Sequence, residues 1–385
     1  MKEFTSLWNQ SKDIIFLIGC VFLLYSLLIL NIYLRQWYSV YSAKPYISEA
    51  FEKSNVPEQE LFTWMIHAYV PDHNAGSEWM AHALNTYWIR EKKGRVVVIS
   101  NKSSVGMYER VVILEKDKQQ DAIDAALSRS QLLLTHHTME PNAVQTSLLL
   151  KKPLVVFLHD HGRYKQIREY KRWLGKNLYI VTNSQWLDKF YTPLGVPSCI
   201  CYPPVSWRDY VVESSREYVT LINVNRNKGG EVLIKIAREM PDIKFLGVKG
   251  AYNQQIVNNT LSNIHYISST PNIKEVYGKT NILLMPSKEE SWGRTAIEAM
   301  SSGIPVIAHP TPGLLESCGD AGVFCDREDI GAWVREIRRL ISDESYYSSC
   351  SLACKRRSIE LEPEEQMKKT CEWLKKLSWK EPSTE

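Results

Sequence analysis

The sequence predicts an α/β fold of two domains, each built around a parallel β-sheet. Short runs rich in β-branched residues alternate along the chain with amphipathic segments, which is typical of βαβ units. This alternation stops at a proline-rich break, Cys201–Pro204, and begins again at Tyr218. The chain has 385 residues, enough for two domains of roughly 150 residues with additional segments. We therefore expect the two domains to be joined near Val205–Glu217.

The first domain is predicted to cover residues 61–210. Its predicted strands are Leu61–His67, Arg95–Ser100, Val111–Leu114, Leu132–Thr135, Leu154–Leu158 and Tyr179–Thr182. A helix is predicted from Ser77 to about Lys92, because the Ser77 hydroxyl can cap the first turn.

The second domain, residues 211–355, repeats this order of elements. Its predicted strands are Tyr218–Asn223, Lys244–Val248, Ile264–Ile267, Ile282–Met285, Pro305–Ala308 and Val323–Phe324. Its predicted helices are Gly229–Met240, Arg294–Ser301 and Asp329–Ser342. The last segment, residues 356–385, is predicted to be a charged amphipathic helix, Pro363–Leu377, followed by a tail.

Composition excludes several classes of protein. Hydrophobic residues make up 44% of the chain and charged residues 23%, which is the composition of a folded globular protein and not of a disordered one. The formal net charge of +4 is too balanced for a nucleic-acid binder, which has a strongly basic face. Eight cysteines in a chain this long do not indicate a small disulfide-stabilised scaffold.

Residues 14–34 form an uncharged apolar segment that lies between Asp13 and Arg35. A helix of this length spans about 30 Å, the thickness of the hydrocarbon core, so the segment is predicted to be a transmembrane anchor. A cleaved signal peptide is the alternative, but its apolar part is shorter, roughly 7–15 residues. Residues 1–13 are then a short tail and residues 35–60 a juxtamembrane linker. The flanking charges only weakly favour a cytosolic body.

The most specific motif lies in Pro286–Ile307, where a loop and a helix connect two predicted strands. Glu290 is in the loop, Gly293 opens the helix, and Glu298 is in its second turn, so both carboxylates can face one pocket. Carboxylate oxygens accept hydrogen bonds from sugar and ribose hydroxyls. Free N–H groups at the start of a helix suit phosphate or sugar oxygens. The motif therefore indicates a ligand that is rich in hydroxyls and phosphate.

This segment, PSKEESWGRTAIEAMSSGIPVI, resembles the signature of the retaining group 1, or GT4, glycosyltransferases. The resemblance extends over residues 61–355 and implies the GT-B fold, in which two Rossmann-like domains face each other across a cleft. It further implies that Glu290 contacts the donor sugar and Glu298 the nucleotide ribose. The family's usual Gly-Phe-Gly is here Ser291-Trp292-Gly293, so Trp292 and Gly293 are also expected to bind the donor.

Two further segments agree with this resemblance. Lys228-Gly229 matches the family's Lys-Gly, whose lysine binds the donor diphosphate and would neutralise the leaving phosphate. Asn225 and Arg226 stand in place of the family's usual Gly-Arg and are expected to bind the donor as well. Gly76 falls where the family's first-domain loop approaches the donor phosphates, although a simple turn is the alternative there.

His159 follows the strand Leu154–Leu158, where the family carries a histidine near the reacting sugar. We therefore expect His159 to be catalytic together with Glu290 and Lys228. A histidine with a purely structural role is the alternative. His136 and His137 end another strand, and the sequence assigns them no role.

The residues after His159 are expected to lie on the acceptor or membrane side of the cleft. Asp160 and His161 come first, and Arg163 and Lys165 begin a segment rich in basic and aromatic residues, 162–177. Such a segment suits anionic headgroups or a lipid diphosphate. A solvated basic helix is the equally weighted alternative.

We expect no metal and no cofactor other than the nucleotide sugar itself. The chain has no Asp-x-Asp, which metal-dependent GT-A transferases usually need, and no Cys/His spacing typical of structural zinc. A P-loop is absent from the sequence as well. Lys228 and helix dipoles are then expected to replace the cation.

The resemblance implies an enzyme that moves a hexose-type sugar from a nucleotide diphosphate sugar to a hydroxyl of a glycan or lipid-linked glycan, with retention. Residues 14–34 are expected to anchor this enzyme in the membrane. Its catalytic body is expected in the cytosol, where most nucleotide sugars are made. A GT-B nucleotide-sugar epimerase or phosphorylase is one alternative, since a fold does not determine a function. A non-enzymatic membrane scaffold with a degenerate site is another.

Overall fold

The computed structural model describes residues 61–73, 75–92, 94–102, 106–250 and 254–378. The predicted anchor 14–34, with the tail 1–13 and the linker 35–60, lies outside the described residues. None of the described helices is sufficiently long and apolar to cross a bilayer. Residues 116–129 group as a unit of their own, and the other described residues form one compact unit that contains two β-sheets.

The first sheet, as far as the chain is described, has eight strands in the order β3-β4-β2-β1-β5-β6-β7-β8. They are β1 (Leu61–Ala68), β2 (Arg95–Lys102), β3 (Met107–Tyr108), β4 (Val111–Glu115), β5 (Leu132–His136), β6 (Leu154–Leu158), β7 (Leu178–Thr182) and β8 (Ser198–Ile200). Neighbouring strands are parallel, except that β3 runs antiparallel to β4. Chain order reverses beside β1, where Trp64 pairs with Val98 of β2 and Leu134 of β5.

The second sheet has the order β11-β10-β9-β12-β13-β14 and is parallel throughout its described strands. They are β9 (Tyr218–Ile222), β10 (Phe245–Val248), β11 (Ile264–Ile267), β12 (Thr280–Met285), β13 (Val306–Ala308) and β14 (Val323–Phe324). This is the doubly wound order of a Rossmann-like sheet, in which successive strands are added on one side of β9 as far as β11 and then on its other side from β12 onwards. Ligands of such sheets bind beyond the strand ends at that switch.

Thirteen α-helices connect or follow the strands within the described chain. In chain order they are α1 (Gly76–Lys92), α2 (Gln120–Arg129), α3 (Glu140–Leu150), α4 (Tyr164–Leu174), α5 (Gln185–Tyr191), α6 (Trp207–Tyr210), α7 (Gly230–Glu239), α8 (Lys274–Tyr277), α9 (Arg294–Ser301), α10 (Pro312–Cys318), α11 (Ile330–Ser342), α12 (Glu344–Glu360) and α13 (Glu364–Ser378). Because helices cover the sheets, the central strands are buried and read as continuous apolar runs.

The core of the first domain contains residues from both ends of the described chain. Phe62 and Trp64 of β1 pack in one apolar cluster with Trp88 of α1, and the Phe62 and Trp88 rings stack with centroids 4.2 Å apart. Leu374 and Cys371 of α13 belong to the same cluster. The last helix therefore completes the core of the first domain, although it follows the second domain in the chain.

The structure adds two short strands, β3 and β8, that the sequence pattern did not predict. Both lie at edges of the first sheet, and two or three residues are too few to show a period. Helix α1 begins at Gly76, one residue before the predicted Ser77. β5 extends to His136, one residue beyond its predicted end.

Replacing Leu374 by Ala is expected to lower the free energy of unfolding of the first domain by about 2–5 kcal/mol, because the side chain is 1% exposed and its loss leaves a cavity. Leu352→Ala is the matched control, since this helical leucine is 57% exposed and should change stability by less than about 0.5 kcal/mol. Urea denaturation followed by tryptophan fluorescence measures both. Equal effects of the two substitutions would contradict the packing of α13.

Candidate functional site

The candidate site of the second domain lies beyond the ends of its two central strands. β9 ends at Ile222 and is followed by a loop, residues 223–229. β12 ends at Met285 and is followed by a second loop, residues 286–293. Because β9 and β12 are parallel neighbours, these two loops lie at the same edge of the sheet. We call them the lysine loop and the glutamate loop.

The two loops bring Lys228 and Glu290 into direct contact. The Lys228 ammonium donates a hydrogen bond to a carboxylate oxygen of Glu290 and forms an ion pair with it. The Lys228 backbone N–H donates to the side-chain oxygen of Asn225 at 2.8 Å, which holds the lysine loop in its turn. The predicted residues Asn225, Lys228 and Glu290 are thus close together, although 62 positions of the sequence separate the lysine from the glutamate.

Two glycines allow the loops to pack this closely. Gly229 has a φ of 99°, and a Cβ there would lie 2.4 Å from Pro286 Cγ in the glutamate loop. Gly293 has a φ of 94°, and a Cβ there would lie 2.5 Å from Leu314 Cδ2. Residues with a side chain rarely adopt such backbone angles, so both positions require glycine. Gly229 and Gly293 also precede α7 and α9, and at the start of α7 the Gly230 and Val232 N–H groups donate to the carbonyls of Asn225 and Gly229 at 3.0 and 2.9 Å.

Glu298 is buried in the second turn of α9 and has its own set of partners. It accepts hydrogen bonds from Arg294 Nε at 2.6 Å and from the Tyr277 hydroxyl at 2.8 Å. Arg294 also donates to the Tyr210 hydroxyl at 2.6 Å. Burial, together with the Glu298 charge, raises the pKa of Tyr277 well above its usual value, so the phenol stays protonated and donates. Neither Tyr277 nor Tyr210 was predicted from the sequence as part of the site. The pairing of Arg294 with Glu298 could have been, because residues at i and i+4 of a helix lie side by side.

The glutamate loop also touches the first domain. Asn183, just after β7, donates from its side-chain amide to the Ser291 hydroxyl at 2.8 Å, and the Trp186 indole N–H donates to the Ser291 carbonyl at 2.9 Å. The Trp292 ring is only 2% exposed and stacks on Tyr202, with centroids 4.1 Å apart. Trp292 therefore contributes packing through its side chain, and Ser291 provides the polar contact between the domains.

Arg327 holds the lysine and glutamate loops together and was not anticipated from the sequence. Its guanidinium donates to the carbonyls of Arg226 at 2.8 Å and Asn227 at 3.1 Å, and also to the carbonyl of Pro286. The Arg226 side chain is exposed and pairs with Glu231 at 3.1 Å. No sequence motif marks Arg327, because its partners are backbone carbonyls of residues about a hundred and about forty positions away.

Three histidines meet at the strand ends of the first domain. His136 Nδ1 lies 3.3 Å from His159 Nε2, and the His137 ring stacks on the His159 ring with centroids 4.9 Å apart. Burial lowers the pKa of His159 to about 3, with a further contribution from His137, so its imidazole is neutral at physiological pH. Burial also lowers the pKa values of His136 and His137.

The other predicted residues of the first domain lie on its surface around this cluster. Asp160, His161 and Lys165 are exposed, and Asp160 accepts a hydrogen bond from the Gly162 N–H at 2.7 Å. Arg163 is half-buried, with its Nε 3.8 Å from Glu140. Gly76 is exposed at the start of α1, and a Cβ there would meet nothing within 4 Å, so packing does not require glycine.

Replacing Arg327 by Gln is expected to loosen the lysine and glutamate loops, because three carbonyls lose their common donor. Amide hydrogen exchange in residues 225–230 and 286–290 should become about tenfold faster, the equivalent of one lost hydrogen bond to a charged group. Exchange followed by mass spectrometry measures this. Arg335→Gln is the control, since that exposed guanidinium is an ion-pair partner of Asp329 at 3.9 Å and should leave both loops unchanged. If amide exchange in the two loops is unchanged in the Arg327 variant, Arg327 does not position them.

Comparison with known proteins finds a family model that matches the segment carrying this site. Residues 212–357 match the model of the glycosyl transferases group 1. A D-inositol 3-phosphate glycosyltransferase of Mycobacterium sp. (strain KMS) is 27% identical over 130 residues, which is 30% of this chain and 30% of the relative. This chain therefore spans less than a third of the length of that relative in the match.

Solved structures extend the likeness to both domains. Sucrose-phosphate synthase from Thermosynechococcus elongatus superposes with a TM-score of 0.68 at 14% identity, over 83% of this chain and 99% of that one. Anabaena Alr3699/HepE in complex with UDP-glucose superposes with a TM-score of 0.66 at 14% identity, over 81% and 99%. Likeness at this identity shows the fold, which is the expected GT-B arrangement of two Rossmann-like sheets. Residues 212–357 are therefore similar to the group 1 glycosyl transferases, and the two sheets together have the GT-B fold.

Proposed function

We propose that this protein transfers a hexose-type sugar from a nucleotide diphosphate sugar to a hydroxyl of a glycan or lipid-linked glycan, with retention at the anomeric carbon. The contact of Lys228 with Glu290 at the switch between β9 and β12 carries the proposal. A cation beside a carboxylate can bind a phosphate and a sugar hydroxyl at the same time. The family match, and a structural neighbour that holds UDP-glucose, support a nucleotide sugar as donor.

In this proposal the donor inserts between Lys228 and Glu290. The ammonium turns to the diphosphate and stabilises the negative charge that develops on the leaving group. The Glu290 carboxylate accepts hydrogen bonds from the sugar hydroxyls. Glu298 keeps its hydrogen bonds from Arg294 and Tyr277, and the remaining lone pairs of its carboxylate accept hydrogen bonds from the ribose hydroxyls. The positive ends of the α7 and α9 helix dipoles take the place of a metal ion next to the diphosphate.

We assign His159 a hydrogen bond to the donor sugar and not proton transfer. Its low pKa, caused mainly by burial, leaves the imidazole neutral and a very weak base at physiological pH. The acceptor oxygen forms its bond to the anomeric carbon on the face from which the phosphate oxygen departs. The acceptor proton then passes to that phosphate oxygen, so charge balances without an enzymic base. Such a front-face reaction accounts for retention without a pair of carboxylates for double displacement.

The acceptor is proposed to approach along α4. This helix presents Lys165, Arg168 and Arg172 to solvent, and Trp173 is exposed beside them. Basic and aromatic side chains together suit a lipid phosphate at a membrane surface. We further propose that residues 14–34 anchor the chain in the membrane, with the body in the cytosol, where nucleotide sugars are available.

A panel of UDP-, GDP- and ADP-sugars tests the donor site. One donor is expected to stabilise the protein thermally and to be slowly hydrolysed or transferred. Lys228→Ala should lower that rate by about 10²–10³, because it removes the cation beside the leaving phosphate. Glu290→Gln should weaken donor binding. Lys235→Ala is the matched control. This lysine is exposed on α7, and its loss should change neither the thermal stabilisation by the donor nor the rate of hydrolysis or transfer. Failure of every donor to bind the folded protein would exclude the transferase, and an epimerised free nucleotide sugar would identify an epimerase.

The anchor is tested by fractionation. The full chain is expected to sediment with membranes and to resist alkaline carbonate. Replacing Leu24 and Leu28 together by Arg should release it, because each central arginine disfavours insertion by about 2.5–3.5 kcal/mol. Leu24→Ala with Leu28→Ala is the matched control, since it keeps the segment apolar. Retention of the double-arginine variant in the carbonate-resistant fraction would exclude residues 14–34 as the anchor.

A further inference from the structure

The histidine cluster of the first domain has the geometry of a metal site. One nitrogen from each of the rings of His136, His137 and His159 can be chosen so that all three lie within 4.8 Å of one another. The closest pair, His136 Nδ1 and His159 Nε2, is 3.3 Å apart. In a tetrahedral zinc complex with Zn–N bonds of about 2.0–2.1 Å, ligand nitrogens lie about 3.3 Å apart. One pair of ring nitrogens already has this spacing.

The fold positions these rings on rigid elements. His136 is the last residue of β5, and His159 directly follows β6, its parallel neighbour. His137 has a φ of 54°, a left-handed angle that is costly for a residue with a side chain. The His137 N–H donates to the buried Glu140 carboxylate, which supports this conformation. A neutral imidazole has one ring nitrogen with a lone pair that can bind a metal.

The cluster is accessible to solvent on one side. His137 and His159 are partly exposed, and His136 is buried behind them. An ion can therefore enter from the side of His137 and His159, and a fourth coordination position stays open on that side.

We infer that His136, His137 and His159 bind a transition metal ion of the Zn²⁺ class through three imidazole nitrogens, with a fourth position open to water. Imidazole ligands suit Zn²⁺, Cu²⁺ and Ni²⁺, and three protein ligands with one open position are typical of exchangeable zinc. The site carries neither a carboxylate nor a thiolate among its three ligands, so Mg²⁺ and Ca²⁺ are poor candidates. Sequence spacing did not indicate it, because the ligands come from two strand ends.

The site has a consequence for the reaction that rests on the proposed function. A metal bound to the His159 imidazole occupies the side chain that we assign to the donor sugar. Metal and donor then compete, and the ion inhibits transfer instead of assisting it. Inhibition by zinc should be overcome by raising the donor concentration and reversed by a chelator.

Calorimetric titration of Zn²⁺ into the untagged full chain in detergent, without any donor, tests the site. One ion per chain is expected, and visible absorption bands of bound Co²⁺ should report a tetrahedral site. His137→Gln and His159→Asn should each weaken zinc binding by at least about tenfold, as loss of a ligand exceeds loss of an outer-shell partner. His265→Gln, an exposed histidine of β11, is the control and should bind zinc as the unaltered chain does.

Circular dichroism and the melting temperature establish that each variant is folded. Absence of stoichiometric zinc binding by the folded chain, or zinc binding by His137→Gln that equals that of the control, would overturn the inference. Because this titration uses no nucleotide sugar, its outcome is independent of the donor panel. Zinc that binds through the cluster but does not compete with the donor would keep the metal site and remove His159 from the sugar contact.

Discussion

The pairing of the Lys228 ammonium with the Glu290 carboxylate is the interaction on which the rest of the second-domain site depends. It requires two loops from neighbouring strands to approach within van der Waals contact, and Gly229 against Pro286 makes that approach possible. Arg327 then donates hydrogen bonds to carbonyls of both loops, which stabilises the backbone that carries the ion pair. The two opposite charges are therefore carried by loops that follow two neighbouring parallel strands.

Much of the fold could be predicted, because the central strands are apolar runs long enough to show a pattern and the helices between them are amphipathic. The short edge strands β3 and β8 could not, since their few residues carry no period. At the candidate site, Glu290 and Glu298 could be proposed from one spaced motif and Lys228 from a separate Lys-Gly pair, and the structure brings Lys228 and Glu290 into contact. Arg327 and Tyr277 were missed because their partners are distant in sequence, and only the folded chain brings those partners to them.

Ser291 illustrates how one substitution within a motif changes its surroundings. The family usually has glycine at this position, whereas the hydroxyl here accepts a hydrogen bond from Asn183 of the first domain. Trp186 adds a second bond to the same residue, and Glu316 accepts from the Gln185 and Trp186 backbone N–H groups at 2.7 and 3.1 Å. The glutamate that we assign to the sugar is therefore adjacent to a residue that both domains hold.

The return of α13 to the first core determines how the two domains can move. The chain crosses between the domains once after β8 and again between α12 and α13, where Pro363 lies. Two domains that are joined by two chain connections can rotate about the line through those connections. Twisting or sliding of one domain against the other would stretch a connection. The two connections therefore favour a single rotation as the movement between the domains.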